Sequence, residues 1–498
     1  MEKLKRKILK HDNILAIGFI LSIILPFSFF VELRVSDELW NFSNIYKMGI
    51  GYEIYTELNV ITTPLYFYIG KIFCFFLGNN YLGYRLYNNV FLNVLFLFCV
   101  YQLLKKINIG KKNALFIVCV LTWMMKTTGT YNLLAISFVI LGILFLVKEK
   151  KLSWKRDIIQ GIIVFLIFMS KQNIVVYYVV VLIFYRIWQI KKIKPFLKHM
   201  LITLISAGIL LILFLIYLSI KGQLFAFIDY TILGLKEFAK YNVVKDLLSN
   251  IYAILLLLGL GIIQIIFFKI ANNKKIPFKE EERKNIVLLA CFSFMLLGVA
   301  YPILNEYHLR LAAILPICAC SYVLIILLKD LLKNKKIEKI KMIILFLIVT
   351  VISVIGIRYN IAFGTIIGSE EYYFPKNSPY YGAVISENTL EEIDEILQYI
   401  NKEEQAGRKV KIISCHANLY MNLLGRNNGE MDLPFYGNLG GDGENGLIEQ
   451  IKQLKNTKIL ILTQEDTIYQ ESKKVMNYIK ENYPKEGEIR QFSIYYAE

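Results

Sequence analysis

MEKLKRKILKHDNILAIGFILSIILPFSFF, residues 1–30, decides the class of protein. Five basic residues (Lys3, Lys5, Arg6, Lys7 and Lys10) precede an apolar stretch from Ile14 to Phe30. A secretory signal begins the same way, but FSFFVELRV follows here, without the small residues of a cleavage site. The segment reads as an uncleaved first membrane span. Similar runs recur along the chain: 56% of its residues are hydrophobic and 19% charged, in stretches too long for one face of a water-soluble core. Lipid is the solvent for most of this sequence.

The net charge of +18 is unevenly placed. From Arg358 onward there are 15 Lys and Arg against 21 Asp and Glu, a net of −6, which leaves +24 for residues 1–357. A nucleic-acid binder gathers such charge on one folded face, whereas here it lies in short loops between apolar runs, so no nucleic-acid partner is expected. The basic segments lie before Ile14 and near 105–112, 148–156, 186–198, 269–284 and 329–341, which the positive-inside rule makes cytoplasmic. Alternation then predicts spans near 13–31, 84–104, 113–127, 133–147, 158–170, 174–188, 201–219, 250–268, 286–301, 310–328 and 342–357. About eleven spans from a cytoplasmic N-terminus, in the cell (plasma or inner) membrane, put the C-terminal domain outside.

The run Pro64 to Gly78 breaks this parity if it spans. Its fifteen residues reach only about 22 Å against a hydrocarbon core of roughly 30 Å, so an interfacial or re-entrant helix is expected. The runs 113–127 with 133–147, and 158–170 with 174–188, are short hairpins by the same arithmetic. Recessed tips would place Lys126, Tyr131, Asn132 and Lys171 in a cavity at the external face. From Ser386 the pattern changes to alternating strand and helix, with KVKIIS and KILILT as strands, predicting a small α/β domain. The domains are thus 1–357, a transmembrane module, and 358–498, extracytoplasmic. GNLGGDGENG around Gly440 lacks the Lys-Ser/Thr ending of a P-loop and reads as a flexible surface loop. Cys415 and His416 follow a strand, and a lone adjacent pair reads as structural.

The first external loop is the richest in chemistry. Ser36 is placed to N-cap a helix, with Asp37 and Glu38 in its first turn and Leu39, Trp40, Phe42 and Tyr46 as an apolar stripe. Such a helix is expected to lie flat on the membrane. A carboxylate at its start is positioned to take a proton from an acceptor hydroxyl as that oxygen attacks an anomeric carbon. The plainer reading is that two acids at a helix N-terminus favour its dipole.

The run VSDELWNFSNIYKMGIGYEIYTELNVITTPLYFYIGKIF, with FLGNNYLGYRLYN and YPILNEYHLR, resembles the GT-C glycosyltransferases, specifically the bacterial relatives of protein O-mannosyltransferases and lipid A aminoarabinose transferases. In those enzymes an Asp-Glu pair follows the first span, and a Gly and a Tyr come about a dozen residues later. A Pro-Leu precedes a run of aromatics, and an Arg-Leu precedes the second span. The resemblance covers roughly residues 1–190, and the rest loosely. It implies an α-helical polytopic membrane protein, GT-C-like, with interfacial helices in the first external loop. It also implies an inverting transferase with Asp37 as general base and Glu38 as its neighbour or a metal or acceptor contact. The chain departs from many relatives in having Thr62-Thr63-Pro64 for Lys-Pro-Pro, and Tyr131-Asn132 where an acid stands in the second external loop. Substrate details therefore do not carry over.

Lys171 in FMSKQN is the candidate partner for a lipid phosphate, against the alternative of a lysine snorkelling to the interface. Arg85 is a phosphate contact or an interfacial anchor. Asn132 is a further substrate-binding candidate. Glu306, His308 and Arg310 are placed to bind phosphate, sugar hydroxyls or a divalent cation, or to form a hydrogen-bonded structural cluster. The expected partners are a polyprenyl-phosphate sugar donor, an extracytoplasmic acceptor and the lipid bilayer. A donor of that kind fits an external site, which cytoplasmic nucleotide sugars do not reach, and no Rossmann-type nucleotide fingerprint is present. The competing classes are a flippase or transporter of lipid-linked glycans and a polysaccharide polymerase or ligase. Repeated halves with broken spans would mark the transporter, and a large Arg-rich late external loop the polymerase. Neither pattern stands out in this sequence.

Overall fold

The computed structural model describes residues 2–25, 31–33, 37–125, 130–147, 152–236, 251–301, 304–328, 371–428, 431, 438–464 and 471–498. Its helices in chain order are α1 (Glu2–Ile24), α2 (Asp37–Gly49), α3 (Leu65–Leu77), α4 (Tyr81–Lys106), α5 (Lys111–Met125), α6 (Tyr131–Leu146) and α7 (Trp154–Ser170). They continue with α8 (Gln172–Ile190), α9 (Ile193–Ile220), α10 (Leu224–Ile228), α11 (Ile251–Asn272), α12 (Glu280–Ala300) and α13 (Glu306–Leu327). The C-terminal part adds α14 (Glu387–Gln405), α15 (Ala417–Leu423), α16 (Gly443–Lys452) and α17 (Lys473–Asn482). The strands are β1 (Val31–Glu32), β2 (Glu371–Tyr373), β3 (Ala383–Ser386), β4 (Lys409–Ile412), β5 (Thr457–Leu462), β6 (Lys485–Ile489) and β7 (Phe492–Ala497).

The first ten predicted spans each fall on a helix, from α1 through α13. Six of these helices (α4, α8, α9, α11, α12 and α13) are long and apolar enough to cross a bilayer. The chain is a multi-pass membrane protein. α5, α6 and α7 have 15, 16 and 17 residues, as short as the sequence predicts for hairpin arms, but the fourth predicted arm, near 174–188, is α8 with 19 residues and is long enough to span. The eleventh span near 342–357 and the boundary near 358 lie outside the described residues. α3 starts directly after Pro64 and stops at Gly78, and its Ile72, Phe75 and Phe76 are exposed. An apolar face open to its surroundings at this length suits a helix lying at the membrane boundary.

Contacts divide the chain into two compact units. Unit 1 comprises Met1–Ser28, Asn88–Phe214 and Asn242–Arg358. Its core joins α1, α4 to α8, α12 and α13, with Phe96, Leu133, Ile136, Ile140, Phe292 and Leu315 fully enclosed. α9 and α11 instead expose apolar residues on several sides, among them Leu201, Ile205, Ile212, Leu255 and Ile262. In water such surfaces would drive aggregation; in a bilayer they face hydrocarbon at no cost.

Unit 2 comprises Phe29–Tyr87, Leu215–Tyr241 and Tyr359–Glu498. It holds two sheets, ordered β1-β3-β2 and β4-β5-β7-β6. In the second sheet β4 and β5 are parallel, joined by a crossover through α15 and α16, and β7 is antiparallel to β5 and β6. Ile413, Ile451, Ile459, Ile461, Val475 and Ile479 fill the core between strands and helices. The first sheet joins distant sequence. β1, just after the first apolar run, pairs in parallel with β3, Val31 opposite Ala383, and Leu33 N–H donates to the Val384 carbonyl at 2.8 Å. The described residues beyond 370 thus share a sheet with the segment that follows α1.

Candidate active site

The acid pair opens α2, where both carboxylates lie in the first turn and favour the helix dipole. Ser36, the predicted cap, lies outside the described residues. Asp37 is exposed, and its carbonyl accepts from the Asn41 side chain at 2.8 Å. Glu38 has a different situation: its Oε1 lies 3.2 Å from Arg85 Nη1, the Arg85 side chain being 4% exposed and that of Glu38 30%. The guanidinium also sits over the Tyr81 ring, 5.7 Å from its centroid, and the Tyr81 hydroxyl lies against Glu38, while the Tyr84 hydroxyl pairs with that of Tyr66 at 3.3 Å. Arginine suits this place because one planar cation can meet a carboxylate and an aromatic face together. The start of α4 is fixed by Asn80, whose Oδ1 accepts from Gly83 N–H at 3.0 Å. Gly83 permits the close approach, since a Cβ there would stand 2.1 Å from the Gly78 carbonyl oxygen.

α2 does not lie open on a lipid surface as its apolar stripe suggests. Leu39 through Ile45, together with Lys47 and Met48, are buried, because α3 covers one side and α15 another. The α15 side is polar. Ser43 Oγ lies 2.8 and 2.9 Å from the Oδ1 atoms of Asn418 and Asn422, and Lys47 Nζ donates to Asn418 Oδ1 at 3.1 Å. Asn422 Nδ2 donates to the Tyr380 hydroxyl at 3.1 Å. Burial holds the Tyr380 phenol well above its ordinary pKa, so it stays a neutral donor beside the Asn418 carbonyl at 2.9 Å. Ser43, Asn418 and Asn422 give no catalytic signal in the sequence, since their meaning depends on a contact between residues 375 and 379 positions apart.

A second segment closes around the loop that follows α2. Tyr55, buried with a φ of 71°, donates to the Thr62 carbonyl at 2.9 Å and packs edge-on against Phe227. Gln223 Nε2 donates to Glu53 Oε2 at 2.9 Å, and the Tyr230 hydroxyl to Asn59 Oδ1 at 2.8 Å. The glycine-rich stretch belongs to this packing and is not a loose surface loop. Gly441 N–H donates to Asp229 Oδ1 at 3.0 Å, and Asn438 is fully buried. Gly440 has a φ of +70°, and a Cβ there would lie 2.4 Å from Asp229 Oδ2. Gly440→Ala therefore lowers stability by about 1–3 kcal/mol, read as a lower unfolding midpoint of the purified protein. Gly487→Ala, with nothing near its Cβ position, serves as the neutral comparison.

In unit 1 the other candidates gather at one end of the helices. Lys171 has an extended backbone between α7 and α8, and its ammonium lies 4.7 Å from the centre of the Tyr131 ring, at the start of α6. Thr130 Oγ1 and the Tyr307 hydroxyl are 2.5 Å apart, joining that start to the first turn of α13. His308 follows the helix-capping Asn305, with Nδ1 2.7 Å from Asn305 Oδ1, and it feels the Lys171 charge. Glu306 pairs with Arg310 one turn on. Asn132 is buried, and its Oδ1 has no partner among the described residues. Lys126 lies outside them. Among the described residues no group of three or more His, Cys, Asp or Glu is arranged to hold a metal ion.

The architecture has solved counterparts. The archaeal oligosaccharyltransferase AglB from Archaeoglobus fulgidus, in complex with an inhibitory peptide and a dolichol-phosphate, aligns over 92% of this chain and 70% of its own. The TM-score is 0.52 and the identity 10%. The chain shares the fold of that oligosaccharyltransferase. ArnT from Cupriavidus metallidurans aligns over 97% of both chains at TM-score 0.43 and 10% identity. No protein-family model and no curated protein matches the sequence.

One buried charge cluster was not legible in sequence. Asp157 of α7 lies 3.2 Å from Arg186 Nη2 of α8 and also contacts His199 Nδ1 of α9, with Asp157 and Arg186 almost fully enclosed. It ties three helices together at the end of α7 opposite Lys171. Periodicity places Asp157 in the first turn after a basic loop, where an acid is ordinary.

Proposed function

We propose that the chain is an integral membrane glycosyltransferase. It moves a sugar from a polyprenyl-phosphate-linked donor to an extracytoplasmic acceptor, with Asp37 as general base. The GT-C fold over nearly the whole chain supports the class, and the dolichol-phosphate bound to AglB supports a lipid phosphate on the donor. One observation carries the assignment of roles: Glu38 is held by Arg85 and Tyr81, while Asp37 beside it is exposed. Glu38 and Arg85 are positioning residues that fix the first turn of α2, and Asp37, the exposed carboxylate of that turn, is the group placed to do chemistry. The acceptor oxygen attacks the anomeric carbon, its proton passes to Asp37, and the bond from that carbon to the phosphate oxygen breaks. The polyprenyl phosphate leaves with the bonding pair, and the new glycosidic bond has inverted configuration.

Lys171 is the proposed partner of the donor phosphate, and Asn132, Glu306, His308 and Arg310 supply hydrogen bonds at the same end of unit 1. A charge-assisted hydrogen bond contributes about 1.5–3 kcal/mol. Lys171→Ala therefore raises KM for the lipid donor roughly 10- to 100-fold with a smaller change in kcat, and Lys171→Arg recovers most of it. Steady-state kinetics with purified protein and a polyprenyl-phosphate sugar measure this. An unchanged KM in the alanine variant removes Lys171 from the donor site.

A further inference from the structure

A cavity of about 440 Å³ opens in unit 1 beside α1, α4 and α6, toward the C-terminal ends of the last two and so away from Arg85 and Asn132 near their starts. Lys105 and Lys106 close α4 at its rim, and Leu141, Leu144 and Phe145 of α6 form its apolar wall. Asn13 of α1 and Gln102 of α4 complete it, joined by a 2.9 Å bond from Gln102 Nε2 to Asn13 Oδ1. None of these lining residues is acidic. Lysines at helix C-termini favour the dipole, and Lys106 does donate to the Leu144 carbonyl of α6. That contact explains one cation but neither the second nor the cavity. Lys105 stands half-buried with its ammonium 5.6 Å from the centre of the Tyr101 ring.

We propose that this cavity binds an anionic phospholipid from the leaflet facing the basic loops. The phosphate pairs with Lys105 and Lys106, the glycerol region meets the Asn13 and Gln102 amides, and the upper part of an acyl chain lies on Leu141 and Phe145. Charge complementarity selects the anion, and the apolar wall selects a lipid over a free phosphate. An engineered cavity of about 150 Å³ holds a benzene, so this one has room for roughly three groups of that size. That volume suits a headgroup with its glycerol and the first chain carbons, the remainder of the lipid staying in the bilayer. Basic pockets between membrane helices recognise anionic headgroups in this way. The site is independent of glycosyl transfer.

The test compares unfolding midpoints of the full-length protein in nanodiscs of pure phosphatidylcholine and of phosphatidylcholine with one-third phosphatidylglycerol. Wild type gains several degrees from phosphatidylglycerol, because a ligand of the folded state stabilises it by mass action. Lys105→Gln/Lys106→Gln loses that gain while keeping the wild-type midpoint in phosphatidylcholine. Lys191→Gln/Lys192→Gln, from the linker between α8 and α9, retains the gain. Leu141→Trp, which fills the wall and leaves the charge, also loses it. An equal gain in wild type and Lys105→Gln/Lys106→Gln overturns the site. Inorganic phosphate reproducing the gain in phosphatidylcholine discs overturns the lipid as its occupant. If the lysine pair unfolds during preparation, native mass spectrometry of Leu141→Trp decides. Loss of the phosphatidylglycerol that wild type retains supports the site, and full retention contradicts it.

Discussion

Asp37→Asn lowers the rate of sugar transfer by roughly 100- to 10,000-fold, the range over which a positioned general base accelerates a reaction. The asparagine amide keeps the size and much of the hydrogen bonding of the carboxylate but has no basicity near neutral pH. Asp37 is exposed at the start of α2, and its carboxylate faces no burial penalty that the amide would relieve. The variant therefore loses only about 0.3–1 kcal/mol of stability, the share of a charge on a helix dipole, and KM for the lipid donor changes little. Loss of rate with nearly intact stability and donor affinity is the signature of a group acting in the transition state. A variant as active as wild type transfers the base role elsewhere and leaves Asp37 a helix-dipole residue.

Glu38→Gln acts through structure. Its removal leaves the Arg85 guanidinium, 4% exposed, without its carboxylate. Breaking a buried ion pair from one side costs about 3–5 kcal/mol; Glu38 is 30% exposed and water reaches part of the pair, so about 2–4 kcal/mol is expected here. Arg85→Gln is milder, about 1–2 kcal/mol, because the carboxylate left behind is the partner that water can solvate. Glu38→Gln with Arg85→Met recovers much of the loss, since neither charge is then stranded. Thermal unfolding of wild type, Glu38→Gln, Arg85→Met and the double variant gives the double-mutant cycle directly. Equal costs for the two single variants would mean that solvation does not distinguish the partners. In transfer assays Glu38→Gln loses kcat while the Lys171-dependent KM holds, because α2 is displaced and the cation in unit 1 is untouched.

The membrane architecture was legible because charge and apolar length act locally. Lys105 to Lys112 and the run Ile251–Asn272 announce a loop and a span without knowledge of their neighbours. Pro64 and Gly78 bracket α3 in both readings for the same reason. The surroundings of the acid pair were not legible. Arg85 reads as a phosphate contact or an interfacial anchor in sequence because an arginine near a span end usually has water or lipid around it; here Tyr81 and Glu38 lie against it. The apolar stripe of α2 is equally consistent with lipid or protein, and only α3 and α15 settle which. Gly440 follows the same logic. Glycine is ordinary in a loop, and the need for it comes from Asp229, more than 200 residues away in sequence.

The most direct measurement follows the fate of the carrier lipid. Purified protein in nanodiscs is given a polyprenyl-phosphate sugar and a mixture of envelope glycans, lipids and peptides as acceptors. Free polyprenyl phosphate and glycosylated product are then quantified together. The account predicts that both appear in equal amounts, without nucleotide, and that both nearly vanish with Asp37→Asn. Intact donor lipid that merely crosses between leaflets, with no polyprenyl phosphate released by wild type, would contradict it.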